Sequence, residues 1–423
     1  MNIILLIHNY RLKILNRSKS ILRLLFINLI LISCTHHKPI VDVSNKAIQR
    51  AEDDQLLIFD LKKTPDLRIV KLSELGVIKI DYIPLETTSQ NAISQGNDFI
   101  FSNSYFLTYG YNSVKMFRYD GSFVIEVGAN GRGPTEYLSV SGIDINPEDE
   151  SIYIASVNKF LVYNKNGKFI RSFNNPQKSE RRNFKFTEDG ILCYYLNDFG
   201  NIENSYILFD TTGKVIKNYP NRYPWKRKAP GVFYQGENIF YKFNNQLFRK
   251  EIYCDTIFSF KNKASKPHMV IDVGKQRLTP DIRSGFRTRS DFSETTYHNY
   301  ITPFNLFEFG DHIYYEMGMT LNGTYNLYSF IGSKKDSFRA MFVTEQGLTN
   351  DLDGGPNFWP KTIKNDSTFV SCIEAIKLKG FIASDAFKES NPKYPNKKTE
   401  LEILANRLKE TDNPILMMVR LKK

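Results

Sequence analysis

KFLVYNKNGKFIRSF, Lys159 to Phe173, places two short runs of aromatic, β-branched and polar residues on either side of Asn164-Lys165-Asn166-Gly167. Asn and Gly tolerate positive φ, so the tetrapeptide reads as a hairpin turn between two strands. The same unit precedes it as MFRYDGSFVIEVG, Met116–Gly128, and follows it as YILFDTTGKVIKNY, Tyr206–Tyr219. The turn glycines Gly121, Gly167 and Gly213 lie 46 residues apart each time. A fixed period in this range marks repeated supersecondary units.

A second, looser repeat runs through the chain. Six times a polar turn of Asp, Glu, Asn or Gly delivers the chain into alternating Ile, Phe and Tyr: at Phe99, Ile152, Ile191, Ile239, Ile313 and Phe369. Each such turn is expected to join the first and second strands of a four-stranded sheet, and each hairpin glycine the third and fourth. Residues 140–173 spell one whole unit: VSGIDIN, SIYIAS, KFLVYN, KFIRSF. One small twisted sheet cannot bury both faces alone, but sheets packed radially can. The expected fold is therefore all-β, a six-bladed β-propeller of four-stranded antiparallel blades. Six units spread to residue 423 exceed the ~40–50 residues of minimal blades, so long connections are expected. Lys275–Pro303, rich in Arg, Ser and Thr with little periodicity, reads as one such surface excursion.

Composition agrees with this reading. Aromatics make up 14% of the 423 residues, with 32 Phe and 24 Tyr, and such residues suit pleated, half-buried surfaces. The net charge of +12 falls to +7 once the five bases of the leader are set aside. The remaining Lys and Arg are scattered among acids rather than gathered on one stripe, which argues against a nucleic-acid partner.

The ends of the chain carry their own signals. Residues 1–33 hold Arg11, Lys13, Arg17, Lys19 and Arg23, no acid, and then the short apolar run Leu24–Ile32. A bilayer-spanning helix needs roughly 20 apolar residues, so this pattern reads as a secretory signal. It ends in Leu31-Ile32-Ser33-Cys34, a junction resembling the bacterial lipobox, in which Cys34 becomes the acylated first residue of the mature protein. Residues 34–71 read as a tether, with a possible closing strand at 56–61. Residues 72–423 read as the propeller. At the other end, Ile415–Leu421 is too apolar to be left in water. It is expected to complete the last blade beside Leu56–Leu61, because an unclosed ring exposes hydrogen-bonding edges. One short helix is expected before it, over Thr399–Lys409, with Leu401, Leu404, Ala405 and Leu408 as its stripe and Thr399 as its N-cap.

The lipobox, the run IDYIPLETT at Ile80–Thr88, Gly131–Tyr137 (GRGPTEY), NDLDGGPNFWP at Asn350–Pro360 and the terminal DNPILMMVRLKK together resemble the six-bladed β-propeller lipoproteins of Bacteroides and their relatives. These are similar in turn to NHL-repeat and TolB-type propellers. The resemblance covers nearly everything beyond residue 34. It implies the fold and a place in the cell envelope, as an outer-membrane lipoprotein, but no defined activity. Thr35-His36-His37-Lys38 after the cysteine, with no acid, favours the periplasmic face over the cell surface.

Chemical motifs are sparse. GANGRGPTEY has the glycines of a phosphate cradle, but Pro134 and a strand follow where a phosphate loop needs a helix N-terminus. It reads as an interblade crossover, with Arg132, Glu136 and Tyr137 as candidate binding residues at a channel mouth. Asp351 and Asp353 resemble a fragment of a calcium loop, but Thr362 stands where an EF-hand requires a bidentate acid. No metal is therefore assigned there. The same stretch is read as a binding loop carrying Asp351, Asp353, Phe358 and Trp359, the two aromatics forming an apolar platform. Cys193, Cys254 and Cys372 are too far apart in sequence to suggest a zinc site or a disulfide framework. No HExxH or GxSxG occurs, so no catalytic residue and no cofactor is assigned. The expected function is a lipid-anchored module binding a peptide, glycan or protein partner. The alternative is a lactonase- or lyase-like propeller enzyme with a channel metal, whose site residues would be scattered over all blades.

Overall fold

A computed structural model describes residues 56–93, 96–177, 182–228 and 234–422. The strands form six sheets, and the chain is a six-bladed β-propeller. From the channel outward, the first blade is Asp98–Phe101, Phe106–Tyr109, Val114–Phe117 and Phe123–Glu126. The second is Gly142–Ile145, Ile152–Ser156, Lys159–Tyr163 and Phe169–Asn174. The third runs from Arg182–Thr187 to Val215–Pro220, the fourth from Asn238–Phe243 to Ala264–Asp272, and the fifth from Thr302–Phe309 to Arg339–Val343. The sixth combines Thr362–Asn365, Thr368–Ile373 and Ile415–Leu421 with Val77–Pro84 from the start of the chain. The inner strands follow one another around the ring, and Thr362–Asn365 neighbours Asp98–Phe101 again.

Aromatic contacts seal one blade to the next. Phe160 of the second blade meets Phe184 and Phe209 of the third edge-on, at centroid distances of 5.2 Å in both cases, a geometry favoured by the ring quadrupoles. The hairpin glycines join third and fourth strands, as the period requires. Gly121 and Gly213 adopt φ of 89° and 92°, a region costly for any residue with a Cβ. Each also rests on the outer strand of the preceding blade. A Cβ on Gly213 would lie 2.4 Å from the Phe173 ring, and one on Gly121 2.1 Å from the Pro84 carbonyl.

The looser repeat needs correction at two of its six positions. Ile152, Ile191, Ile313 and Phe369 begin or lie in second strands, but Phe99 and Ile239 lie in first strands. In the first and fourth blades the polar turn before the apolar run is the crossover from the preceding sheet. Both kinds of turn present the same Gly/Asn/Asp/Glu chemistry, so composition alone does not separate them.

The N-terminal reading also changes. Leu57–Asp60 is a strand, but it pairs parallel with Ala264–Asp272, Leu57 opposite Met269, as a fifth strand on the fourth blade. It does not close the ring. The partner of Ile415–Leu421 is Val77–Pro84, antiparallel from Val77 opposite Leu421 to Pro84 opposite Ile415. Between the two, the chain runs as a strap along the rim. The Arg68 amide donates to the Met341 carbonyl at 2.9 Å, in the outer strand of the fifth blade, and the Leu72 amide to Thr349 at 3.0 Å. Residues from 57 onward thus belong to the folded body rather than to a tether. Phe59, Val70 and Leu72, each at most 1% exposed, supply the reason. Cys34 and the rest of residues 1–55 lie outside the described residues.

Helices are more numerous than the single one expected. Lys275–Pro303 contains Pro280–Gly285 and Arg289–Asn299 in place of an irregular excursion, capped by the Thr279 and Thr288 side chains. Their pattern is weakly amphipathic, so periodicity gives no signal there. Ala375–Ala383 and Asp385–Glu389 precede the expected C-terminal helix, which spans Pro395–Arg407 with Pro at its first turn. Leu401 and Ala405 of the expected stripe are buried against Leu378, Phe387 and Ile415.

Ile415, Leu416, Met417, Met418, Val419 and Leu421 are all buried. Burying each large apolar side chain is worth about 1.5–3 kcal/mol, so together they rival the ~5–15 kcal/mol net stability of a domain. Truncation after Thr411 is therefore expected to give an unfolded or aggregating product. An unchanged melting temperature with monomeric elution on size exclusion would contradict the closure.

Candidate functional site

Strand alternation places one or two side chains of each inner strand in the central channel, while their neighbours turn into the interblade cores. In the third blade Phe184 and Phe186 are buried, and Asn183 and Lys185, alternating with them, line the channel. Asp144 sits between Ile143 and Ile145, and Lys242 between Tyr241 and Phe243. Asp98, Asn305, Lys361 and Lys364 add to the polar lining from the first, fifth and sixth blades, and Glu150 and Asp366 add two further carboxylates. The cavity they enclose is about 520 Å³. It opens on the face of the first-to-second-strand turns, where Asn103, Asn146, Asn245 and Asn365 rim it.

Two carboxylates in this channel have opposite environments. Asp144 is 4% exposed. It accepts the Phe186 amide at 2.7 Å and faces Lys185 at 3.3 Å and Lys242 at 3.6 Å. Burial alone would raise its pKa, but the two ammonium groups and the amide prevail and hold it below the usual value of 3.8. One side chain of the second blade thus ties the third and fourth together across the channel. Asp98 reaches solvent through the channel yet is walled in by protein. That confinement pushes its carboxyl above the ordinary value, against the attraction of Lys361 and Lys185. Tyr109 stands opposite Asp98 in the strand register, and burial, then the two carboxylates, raise its hydroxyl.

The binding residues expected from sequence do not line this cavity. Arg132 is exposed on the crossover from the first blade to the second. Glu136 accepts the Gly133 amide at 2.7 Å and so shapes that crossover. Tyr137 is fully buried in the interblade core. Lys159 donates to the Gly133 and Pro134 carbonyls at 3.2 and 3.1 Å, pinning the loop from outside. Asp351 takes the Ser73 amide at 3.2 Å and the Ser73 hydroxyl. Asp353, 4% exposed, accepts Asn350 at 2.6 Å, the Gly355 amide at 2.9 Å and the Tyr82 hydroxyl at 3.2 Å. Both acids anchor the N-terminal strap and the closing strand rather than presenting ligands. Phe358 is fully buried against Phe369, and Trp359, half-buried, donates to Glu316 at 3.3 Å. The apolar platform is therefore core packing. The channel residues had one sequence signal: a single charge flanked by large apolar residues, as in Ile-Asp-Ile, Phe-Lys-Phe and Tyr-Lys-Phe.

A sequence profile described as "Domain of unknown function (DUF4934)" matches residues 56–420, and the chain belongs to that family. No curated protein matches the chain. Among solved structures, an exported-class protein of Bacteroides fragilis is similar at 17% identity and a TM-score of 0.66, covering 87% of this chain and 99% of that one. The WD40 domain of SCAP from fission yeast is similar at 11% identity and a TM-score of 0.32, over 73% of this chain and 60% of that one. The Neurospora crassa Pan2 WD40 domain is similar at 12% identity and 0.32, over 64% and 70%.

The two carboxylates predict opposite mutational effects. Asp144→Asn strands two lysines. Breaking a buried pair costs about 3–5 kcal/mol, reduced here to about 2–3 kcal/mol because both lysines reach solvent. The contribution of Asp144 is present above the ordinary aspartate pKa and is lost as pH falls below 3.8 through its depressed folded value. The wild-type advantage over Asp144→Asn should therefore shrink in acid. Asp98→Asn removes a charge the fold disfavours and should leave the melting temperature at pH 7 unchanged or raised. Denaturant melts of both variants at neutral and acid pH check this; a strongly destabilised Asp98→Asn would contradict it.

Proposed function

We propose that this DUF4934 propeller is a lipid-anchored binding module of the cell envelope, holding a peptide, glycan or protein partner at the open channel mouth without catalysing a reaction on it. The observation that carries the reading is the channel lining: lysines, carboxylates and asparagine amides drawn from all six blades around a cavity of ligand size. Such a mixed polar wall recognises a ligand by hydrogen bonds and charge. Among the described residues no three His, Cys, Asp or Glu side chains gather within metal-binding range, and no histidine lines the cavity. This favours binding over a lactonase- or lyase-like enzyme with a channel metal. The NHL- and TolB-type propellers are the wider group this architecture is compared with.

The envelope location rests on the basic leader, the apolar run and the Leu31-Ile32-Ser33-Cys34 junction. The exported-class Bacteroides fragilis neighbour agrees with it. With Cys34 acylated, the absence of an acid in Thr35-His36-His37-Lys38 favours the periplasmic face of the outer membrane over the cell surface.

The test is detergent partitioning followed by ligand screening of one preparation. The full chain should enter the detergent phase and Cys34→Ser should not. The purified protein should gain thermal stability from a polar peptide or oligosaccharide that is recovered unchanged. Partitioning unaffected by Cys34→Ser would place the anchor elsewhere, and turnover of the bound compound would favour the enzyme.

A further inference from the structure

The two poles of the channel differ in what they leave unsatisfied. Asp144 is saturated by one amide and two ammonium groups. Its lysines are not: Lys185 and Lys242 share one carboxylate, and their side chains remain 20% and 39% exposed, against 5% for that of Asp144. Two ammonium groups on one acid leave a surplus positive charge at this pole. The other pole is Asp98. Its backbone pairs with Tyr109 in the sheet, but its carboxylate makes no hydrogen bond or ion pair with any described residue, and neither does the Tyr109 hydroxyl. An open carboxylate beside an open hydroxyl is an acceptor site waiting for a donor.

The poles are close. Asp98 and Asp144 stand on inner strands that neighbour one another around the ring. They also share one cavity of about 520 Å³, which suits a small molecule or a chain end rather than a folded partner. A monoanion drawn to the lysines would be repelled by Asp98. A monocation drawn to Asp98 would be repelled by Lys185, Lys242 and Lys361. A compact ligand carrying both signs meets both poles without burying an unpaired charge, the arrangement that low-dielectric sites reward. The half-buried Ile100, Phe101 and Ile363 also line the cavity and offer apolar contact.

We infer that the channel binds a zwitterionic ligand of the class of a short peptide, its ammonium held by Asp98 and Tyr109 and its carboxylate by Lys185 and Lys242. The inference rests on the reading of the channel as a binding site and adds the ligand class. It assigns each end of the ligand to named residues, so each end is separately testable.

The experiment is isothermal titration of the full chain in detergent with three probes: trialanine, N-acetyl-trialanine and trialanine amide. Trialanine should bind. Capping either end should weaken binding by about tenfold or more, the scale of a lost charge-assisted hydrogen bond. In Asp98→Asn the preference for the free amine over the N-acetyl probe should collapse toward unity while the preference for the free carboxylate persists. Lys242→Met should do the reverse. Circular dichroism melts of both variants establish that they are folded. Equal binding of all three probes, or failure of all three to bind, would overturn the inference. Maltotriose titrated alongside separates this from the broader reading. Saturable binding of that neutral sugar, weakened by Lys242→Met, would overturn the zwitterion assignment and leave the binding module standing.

Discussion

The antiparallel pairing of Ile415–Leu421 with Val77–Pro84 is the constraint on which everything else depends. A ring of six sheets has two loose ends, and each is a row of unpaired amides and carbonyls unless the other covers it. Here the N-terminal strand becomes the outer strand of the blade whose three inner strands come from the C-terminus. The chain spends further residues on the same task. Leu57–Asp60 lies on the fourth blade, Arg68 bonds to the fifth and Val77–Pro84 closes the sixth, so one continuous strap crosses the outer edges of the three blades beside the seam. Ser73 and Tyr82 on this strap meet Asp351 and Asp353 in the connection from the fifth blade to the sixth. The acids that resemble a calcium loop are thus fasteners of the seam.

Closure fixes the channel. Only when the last inner strand stands beside the first do Lys361 and Asp98 come near one another, and only then do six separate strands present one polar lining. Asp144 reinforces this from the opposite side, holding lysines of two further blades. The channel therefore contributes to the integrity of the ring at one pole and leaves groups open at the other. A binding site needs that division: a framework that does not rearrange, and a few polar atoms without protein partners.

Sequence and structure meet unevenly here. The blades were legible because a hairpin needs Gly or Asn at a fixed place, and Gly121, Gly167 and Gly213 repeat that need at a constant interval. The closing strand was legible because Ile415–Leu421 has no polar face to offer water. Its partner was not, since Leu57–Asp60 and Val77–Pro84 are both short and apolar in part, and only tertiary pairing decides between them. The helices of residues 280–299 escaped because their apolar residues follow no 3.6 period, although Thr279 and the Thr288–Asp291 capping box mark their starts. The site was least legible. Arg132, Glu136, Asp351 and Asp353 looked functional because polar loops with Gly and Pro resemble ligand loops, while the channel is assembled from isolated charges on distant strands. Asp144 between two isoleucines, Lys185 between two phenylalanines and Lys242 between Tyr241 and Phe243 were its local marks.

The most direct test of the account is native-state hydrogen exchange at the seam. If closure governs the ring, the amides of Ile80–Ile83 and Leu416–Val419 should open only with global unfolding, with protection equal to that of Ile152–Ala155 in the second blade. Exchange at the seam about a hundredfold faster than in the second blade, at unchanged global stability, would contradict it. The ring would then open at its seam without unfolding, and the channel would lose its claim to be a fixed site.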